Sequence, residues 1–371
     1  MYRREQSCPT KTSGNLSDTP IIDTDIHAVL NWQHVVECLP EPWRSRAAGG
    51  NRASGPLGYW NPNGVMRGDT KLEDGRRIES SAETLGEHFF DVYGISYGIL
   101  NSGNLHAALS PEPDYAAALM TASNATIVED WLKQDDRIRA SIVVSPTDPQ
   151  LAAEEIRRWK DEPGFVQVMM PSGARIPYGQ RFYHPIYEAA REIGCPVAIH
   201  PGTEGSGISG PPTASGYPSS YFEWHTSLVG SYLAHLVSLI TEGVFIKYPE
   251  LTFVMVEGGV SWVPPLLWRF DKNWKALRQT TPWLEVPPSE LVAKHIKLTT
   301  QPIEEPDDIS HLHQMLDMFP AEQMLMFSTD YPHWDGDVPD FTARLLPDRL
   351  RNRVMYKTAA ELYGIPVGVA A

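Results

Sequence analysis

The chain has 371 residues, 42% hydrophobic and 21% charged, enough for one large core or two ordinary domains. Lys plus Arg number 31 against 46 Asp plus Glu, a formal charge of −15 that argues against a nucleic-acid backbone as partner. No run approaches about eighteen consecutive apolar residues, which excludes a membrane-spanning helix.

Residues 1–20 are polar, interrupted by Pro9 and Pro20, and predict a loosely packed lead-in with no apolar stretch of the kind a secretory signal needs. Cys8, Cys38 and Cys195 are odd in number and far apart, so the expectation is a reducing, cytoplasmic setting with no disulfide framework. Ile21-Ile22-Asp23-Thr24-Asp25-Ile26-His27 reads as a short strand. Asp25 and His27 stand at i and i+2, the spacing that puts both side chains on one face, and both are natural ligands for a divalent metal. Residues 31–95 lack sustained periodicity and carry Gly-Pro and Asn-Pro-Asn-Gly punctuation. They are expected to form an insertion with short helices near 31–46 and 81–93, covering the mouth toward which the first strand points.

A regular rhythm follows. Strands are expected at 95–100, 139–145, 165–170, 196–200, 251–256, 295–300 and 324–328, mostly separated by helical stretches. Their interiors are continuous runs of Val, Ile, Met and Phe, the composition of parallel strands covered on both faces. Eight such units make a closed (β/α)8 barrel the expected fold, one barrel domain over 21–371, with an open doubly wound sheet as the alternative. No Gly-rich turn leads from a strand into a helix, which argues against a dinucleotide site.

Polar residues recur where strands become loops: Asp25 and His27 after strand one, His200 after strand five, Glu257 after strand six and Asp330 after strand eight. In a closed barrel those ends share one face and strands one and eight are neighbours, so Asp25, His27, His200 and Asp330 are expected to converge on a metal. Glu257 and Asp330 are candidates for proton transfer, and His333, three residues after Asp330, for lining the pocket. Arg175, after strand four, is placed to meet a substrate carboxylate. Trp224, His225 and Trp262 are candidates for a substrate-contacting wall, together with Tyr221 and Trp268.

These residues carry a likeness. Ile22-Asp-Thr-Asp-Ile-His27, Pro196-Val-Ala-Ile-His-Pro-Gly202, Lys247 through Glu257-Gly-Gly, and Phe327-Ser-Thr-Asp-Tyr-Pro-His333 together resemble the metal-dependent amidohydrolase superfamily. Within it, the similarity is to the branch of aminocarboxymuconate-semialdehyde and dihydroxybenzoate decarboxylases. The resemblance implies a distorted (β/α)8 barrel with one divalent metal ion, zinc or manganese, and makes His200 and Asp330 the ligands from strands five and eight. Asp25 replaces the first histidine of the usual His-x-His, a harder and more anionic donor that tolerates manganese as well as zinc.

At strand six the branch has a catalytic histidine and this chain has Glu257, which cannot supply an imidazolium. The first expectation is therefore hydrolysis of a C–N or C–O bond in a small cyclic or aromatic substrate, by metal-activated water. The alternative is non-oxidative decarboxylation of an aromatic or enoic acid. A small-molecule substrate is expected, with neither nucleic acid nor membrane as partner, and a homo-oligomer as the default assembly.

Overall fold

The computed structural model describes residues 19–48, 59–61, 64–102 and 104–367. Most of the polar lead-in, with Cys8, and the middle of the 31–95 insertion lie outside the described residues. Eight parallel strands hydrogen-bond in sequence order: β1 (Ile22–Ala28), β2 (Tyr97–Ser102), β3 (Ile138–Val143), β4 (Phe165–Pro171), β5 (Val197–His200), β6 (Phe253–Met255), β7 (Ile296–Thr299) and β8 (Leu325–Met326). β8 returns to β1: Thr24 donates its amide to the Phe327 carbonyl (3.0 Å), Asp330 to Asp25 (3.0 Å) and His27 to Tyr331 (2.8 Å). This is a (β/α)8 barrel. Every residue of β1, β4 and β5 is buried, as their unbroken apolar runs require of strands sandwiched between interior and helices.

β6 and β8 are shorter than their apolar runs predict. At the β7–β8 seam, side chains replace the backbone ladder: Ser328 donates its amide to Thr300 Oγ1 (3.1 Å), and Gln301 donates its own to Ser328 Oγ (3.0 Å). Beyond β6, Glu257 donates its amide to Thr299 Oγ1 (2.9 Å). Hydroxyls at the rim thus end the regular pairing early and leave Glu257 and Asp330 on loop backbone just past their strands.

The helices follow the pattern with local departures. The stretch expected as one helix over 226–246 is three: Tyr221–Ser227, Val229–Thr241 and Val244–Lys247. The first starts early because Ser220 Oγ accepts the Glu223 amide, an N-cap. Gly243, with φ of 73°, separates the last two. Within the insertion, helices Trp32–Cys38 and Trp43–Ala48 stand where the first short helix was expected, and Ala82–Leu85 opens a helical run through Tyr93. Among the described residues no helix is long and apolar enough to cross a membrane.

Candidate metal centre

The rim of β1, β5, β6 and β8 gathers five ligand-bearing side chains. One donor atom each from Asp25, His27, His200, Glu257 and Asp330 all lie within 4.8 Å of one another. Asp25, His200 and Asp330 are at most 4% exposed, His27 5%. His27 Nε2 is 2.9 Å from Asp330 Oδ1 and 3.5 Å from Asp25 Oδ1. His200 Nε2 is 3.1 Å from Glu257 Oε2 and 3.5 Å from Asp25 Oδ2. The His200 ring is oriented from behind, its Nδ1 lying 3.0 Å from the Pro201 carbonyl; donation there turns Nε2 toward the cluster.

The turn below His200 is built to hold still. Glu204 is buried and accepts the amides of Gly202 and Thr203 (both 3.0 Å) and the hydroxyls of Ser172 and Ser231. Glu257 and Asp330 both adopt φ of 57°, a left-handed conformation that non-glycine residues rarely take. Gly259 follows at φ 64°, where an added Cβ would fall 2.8 Å from the Glu304 carboxylate that caps Val260 and Ser261.

The cluster packs the carboxylates of Asp25, Glu257 and Asp330 against the imidazoles of His27 and His200. Burial and the nearby Asp330 push the Glu257 carboxyl well above its ordinary range. Burial works against ionisation of Asp330 too, but His333 and His27 outweigh it and hold the carboxylate well below that range. Burial opposes charging His200, yet Asp25 and Glu257 prevail and raise it to about 9; His333, 2.7 Å from Asp330 Oδ1, is raised to about 9 by Asp330 against the same burial. Burial lowers His27, helped by His333. Asp25 Oδ2, Asp330 Oδ2 and His200 Nε2 are buried without a hydrogen-bond partner among the described residues. Orphaned oxygens at this depth are costly, and a hard divalent cation satisfies them while displacing the extra imidazole protons. The donor set fits such an ion.

The cluster floors a cavity of about 560 Å³. His27, His200, Glu257, His333, Trp224 and His225 line it, so most of the expected residues meet there. Arg175 and Trp262 do not line it. Arg175 is exposed: its loop leaves β4 through Gly173, whose amide is held by Thr203 Oγ1 (3.0 Å), with no room for a side chain against the Thr203 backbone. Trp262 spends its indole N–H on the carbonyls of Gly258 (2.8 Å) and Gly259 (3.1 Å) and packs against the core. Trp268, also expected in the wall, is exposed and outside the cavity lining.

Other contributors were not foreseen. Asn101 on β2 donates to Asp25 Oδ1 (2.6 Å), and behind it Ser141, Gln167 and the Tyr363 hydroxyl continue a buried chain of hydrogen bonds (2.6, 2.9 and 2.9 Å) through the barrel interior. The signal was a polar residue breaking each of three apolar strands. His106 lines the cavity with its basicity lowered by burial and by His200. Asp335 pairs with His225 at 3.3 Å and, with Glu257, forms a second set of nearby donors. It follows Asp330 closely enough that the same strand end delivers both.

The family model described as Amidohydrolase matches residues 22–365. The gamma-resorcylate decarboxylase of Rhodococcus jostii (strain RHA1) is 25% identical over 264 residues, 65% of this chain and 74% of that protein. The enzyme of the same name from Polaromonas sp. (strain JS666 / ATCC BAA-500) is 29% identical over 209 residues, 52% of this chain and 60% of that one. Among solved structures, 5-carboxyvanillate decarboxylase of Novosphingobium aromaticivorans, bound to manganese and 3-methoxy-4-hydroxy-5-nitrobenzoic acid, superposes with a TM-score of 0.66. It is 20% identical, covering 95% of this chain and 99% of its own.

Proposed function

The chain belongs to the amidohydrolase family and is an enzyme, and from that premise we propose that it is a metal-dependent, non-oxidative decarboxylase of an aromatic carboxylic acid. The observation that carries this reading is the set of three orphaned buried donors, Asp25 Oδ2, His200 Nε2 and Asp330 Oδ2, in a cluster whose His27, His200 and Glu257 line a partly aromatic cavity. The names of the relatives favour decarboxylation over hydrolysis, the first expectation from Glu257, which none of them supports.

Asp25, His27, His200 and Asp330 would hold the cation, with manganese the metal a structural relative contains. When bound, the ion supplies a Lewis-acidic anchor for the substrate carboxylate and an adjacent hydroxyl. The chain's own groups do the rest. Asp330 stays anionic and accepts from His333, while His27 Nε2, 2.9 Å from the same carboxylate oxygen, is left to face the ion. His333 lines the cavity with its Nδ1 2.7 Å from Asp330 Oδ1, which holds its ring beside the substrate. Glu257, protonated because burial and Asp330 disfavour its anion, delivers a proton to the ring carbon bearing the carboxylate. The carbon–carboxyl bond then breaks, its electron pair restores the aromatic ring, CO2 departs, and Glu257 regains a proton from water as product leaves. Trp32, Tyr59, Val65 and Met66 of the 31–95 insertion line the cavity, which supports its reading as a cover over the mouth.

The deciding experiment incubates manganese-loaded protein with 2-hydroxybenzoates in heavy water, and separately with amides and lactones. Decarboxylation puts deuterium on the vacated ring carbon and releases CO2. Hydrolysis of the second panel without CO2 from the first would overturn the proposal.

A further inference from the structure

The cavity says more about what it takes than about what is done to it. Its volume of about 560 Å³ sits mid-range for pockets that enclose drug-sized ligands, about 300–1,000 Å³. A single substituted ring with one carboxylate occupies the small end of that range. Away from the metal-binding floor the walls are mostly apolar: Leu30, Leu105, Leu119 and Leu228 line them, with Trp32 and Trp224, against the polar Asn104, His106 and His225. Away from the metal cluster the carboxylate among the described lining is Asp335, and neither Lys nor Arg is found in that lining.

The apolar surface continues outward. Tyr59 docks on the fifth loop, its hydroxyl donating to the Pro218 carbonyl (2.5 Å) and its ring 6.2 Å from Trp224. The next residue along, Trp60, is 81% exposed, and Phe222, beside the lining Tyr221, is 82% exposed. Val65 lines the cavity and is still 52% exposed, so it marks the passage to solvent. A ligand filling this space buries hydrocarbon against hydrocarbon, whereas a second anionic group would face Asp335 with no Lys or Arg among the described lining to pair with it.

Resting on the decarboxylase reading, we infer that the substrate is an aromatic monocarboxylic acid whose ring carries an uncharged apolar extension, an alkyl chain or second ring, lying along the leucine wall and reaching Val65 at the mouth. The selected feature is the extension, and a substituent ending in a carboxylate is rejected.

The test uses two matched series on the full-length manganese-loaded protein: 2-hydroxybenzoates, and 2-nitrophenols that have no carboxylate to lose. Each carries hydrogen, methyl, butyl, phenyl or a carboxylate-ended butyl group. Calorimetric Kd values for the nitrophenols should fall at least about tenfold from hydrogen to butyl or phenyl, and kcat/KM for the acids should rise by a similar factor. The carboxylate-ended member should lose that gain. Val65→Arg, at an exposed position, should restore about tenfold to the carboxylate-ended compound relative to the butyl one. A flat or inverted ranking of Kd, an equally well bound carboxylate-ended compound, or no gain in the Val65 variant overturns the inference. CO2 release with a flat ranking defeats the substrate class and spares the reaction; the expected Kd ranking with no CO2 from any acid does the reverse.

Discussion

Glu257 and Asp330, at the ends of β6 and β8, share one backbone conformation, each with φ of 57°, and both turn a carboxylate into the same cluster. Non-glycine residues held there carry a strain of order 1–2 kcal/mol that surrounding structure must offset. The strain and the chemistry therefore come apart under substitution. Glu257→Gly should raise unfolding free energy by about 1 kcal/mol while removing activity, and Glu257→Gln should leave stability unchanged and lower turnover at least about a hundredfold with metal retained. Denaturant titration, metal analysis and kinetics on the pair check this; near-normal turnover in the Gln variant would refute the proton-transfer role.

Asp330 is both a proposed ligand and the acceptor for His333. Asp330→Asn keeps the shape, and Asn tolerates left-handed backbone, so the fold should survive. Metal content after dialysis should drop to a small fraction of an equivalent, and activity with it. Stoichiometric metal in this variant would remove Asp330 from the ligand set.

Asn101 touches no metal in the proposal, yet holds Asp25 Oδ1 at 2.6 Å. Asn101→Ala should weaken metal affinity by roughly 10–100-fold, the usual consequence of freeing a ligand from its support. Tyr363→Phe, which removes the far end of the same chain, should have a smaller effect in the same direction. Competition with a fluorescent chelator measures both, and unchanged affinity in the Asn101 variant would show Asp25 to be positioned by its strand alone.

His235 lies well inside the helix Val229–Thr241, stacked on Tyr178, its ring nitrogens used by the Tyr178 amide (3.1 Å) and the Ser172 carbonyl (2.8 Å). Burial lowers it from 6.5 to about 4. The unfolded chain takes up this proton first as pH falls, so stability is fully present above about 6.5 and is lost down to about 4, by at most about 3 kcal/mol. Unfolding free energies at pH 7 and 4.5 should differ less in His235→Asn than in the parent. An identical difference would mean that this imidazole is not buried neutral.

Chelation offers a further check. A cation present at 100 to 1,000 times its Kd contributes about 3–4 kcal/mol to stability. Stripping it should lower Tm by several degrees, and readdition of manganese should restore it. An unaltered Tm with confirmed metal loss would argue against the buried site.

Much of this arrangement was legible because it lies in short apolar runs that end in a polar residue. The eight strands, Asp25, His27, His200, Glu257 and Asp330 were all found that way, since strand order in a barrel is sequence order and brings its first and last members together. What escaped was set by loop geometry. Arg175 has the chemistry of a carboxylate anchor, but packing of Gly173 on Thr203 sends its loop elsewhere. Trp262 was placed by residue type, and two neighbouring carbonyls claim its indole instead. Asn101, Ser141 and Gln167 were missed because one polar residue in an apolar strand looks like noise until neighbouring strands set them side by side.

The seam between β1 and β8 also dictates when the enzyme comes into being. Asp25 and His27 leave the ribosome long before Asp330 and the backbone that seats it against Asp25. A chain stopped before β8 can present that carboxylate and imidazole, but only one that has added Asp330 can assemble the proposed ligand set. On the proposed ligand set, metal loading would follow closure of the barrel, and a tightly held ion would report that β8 had reached β1.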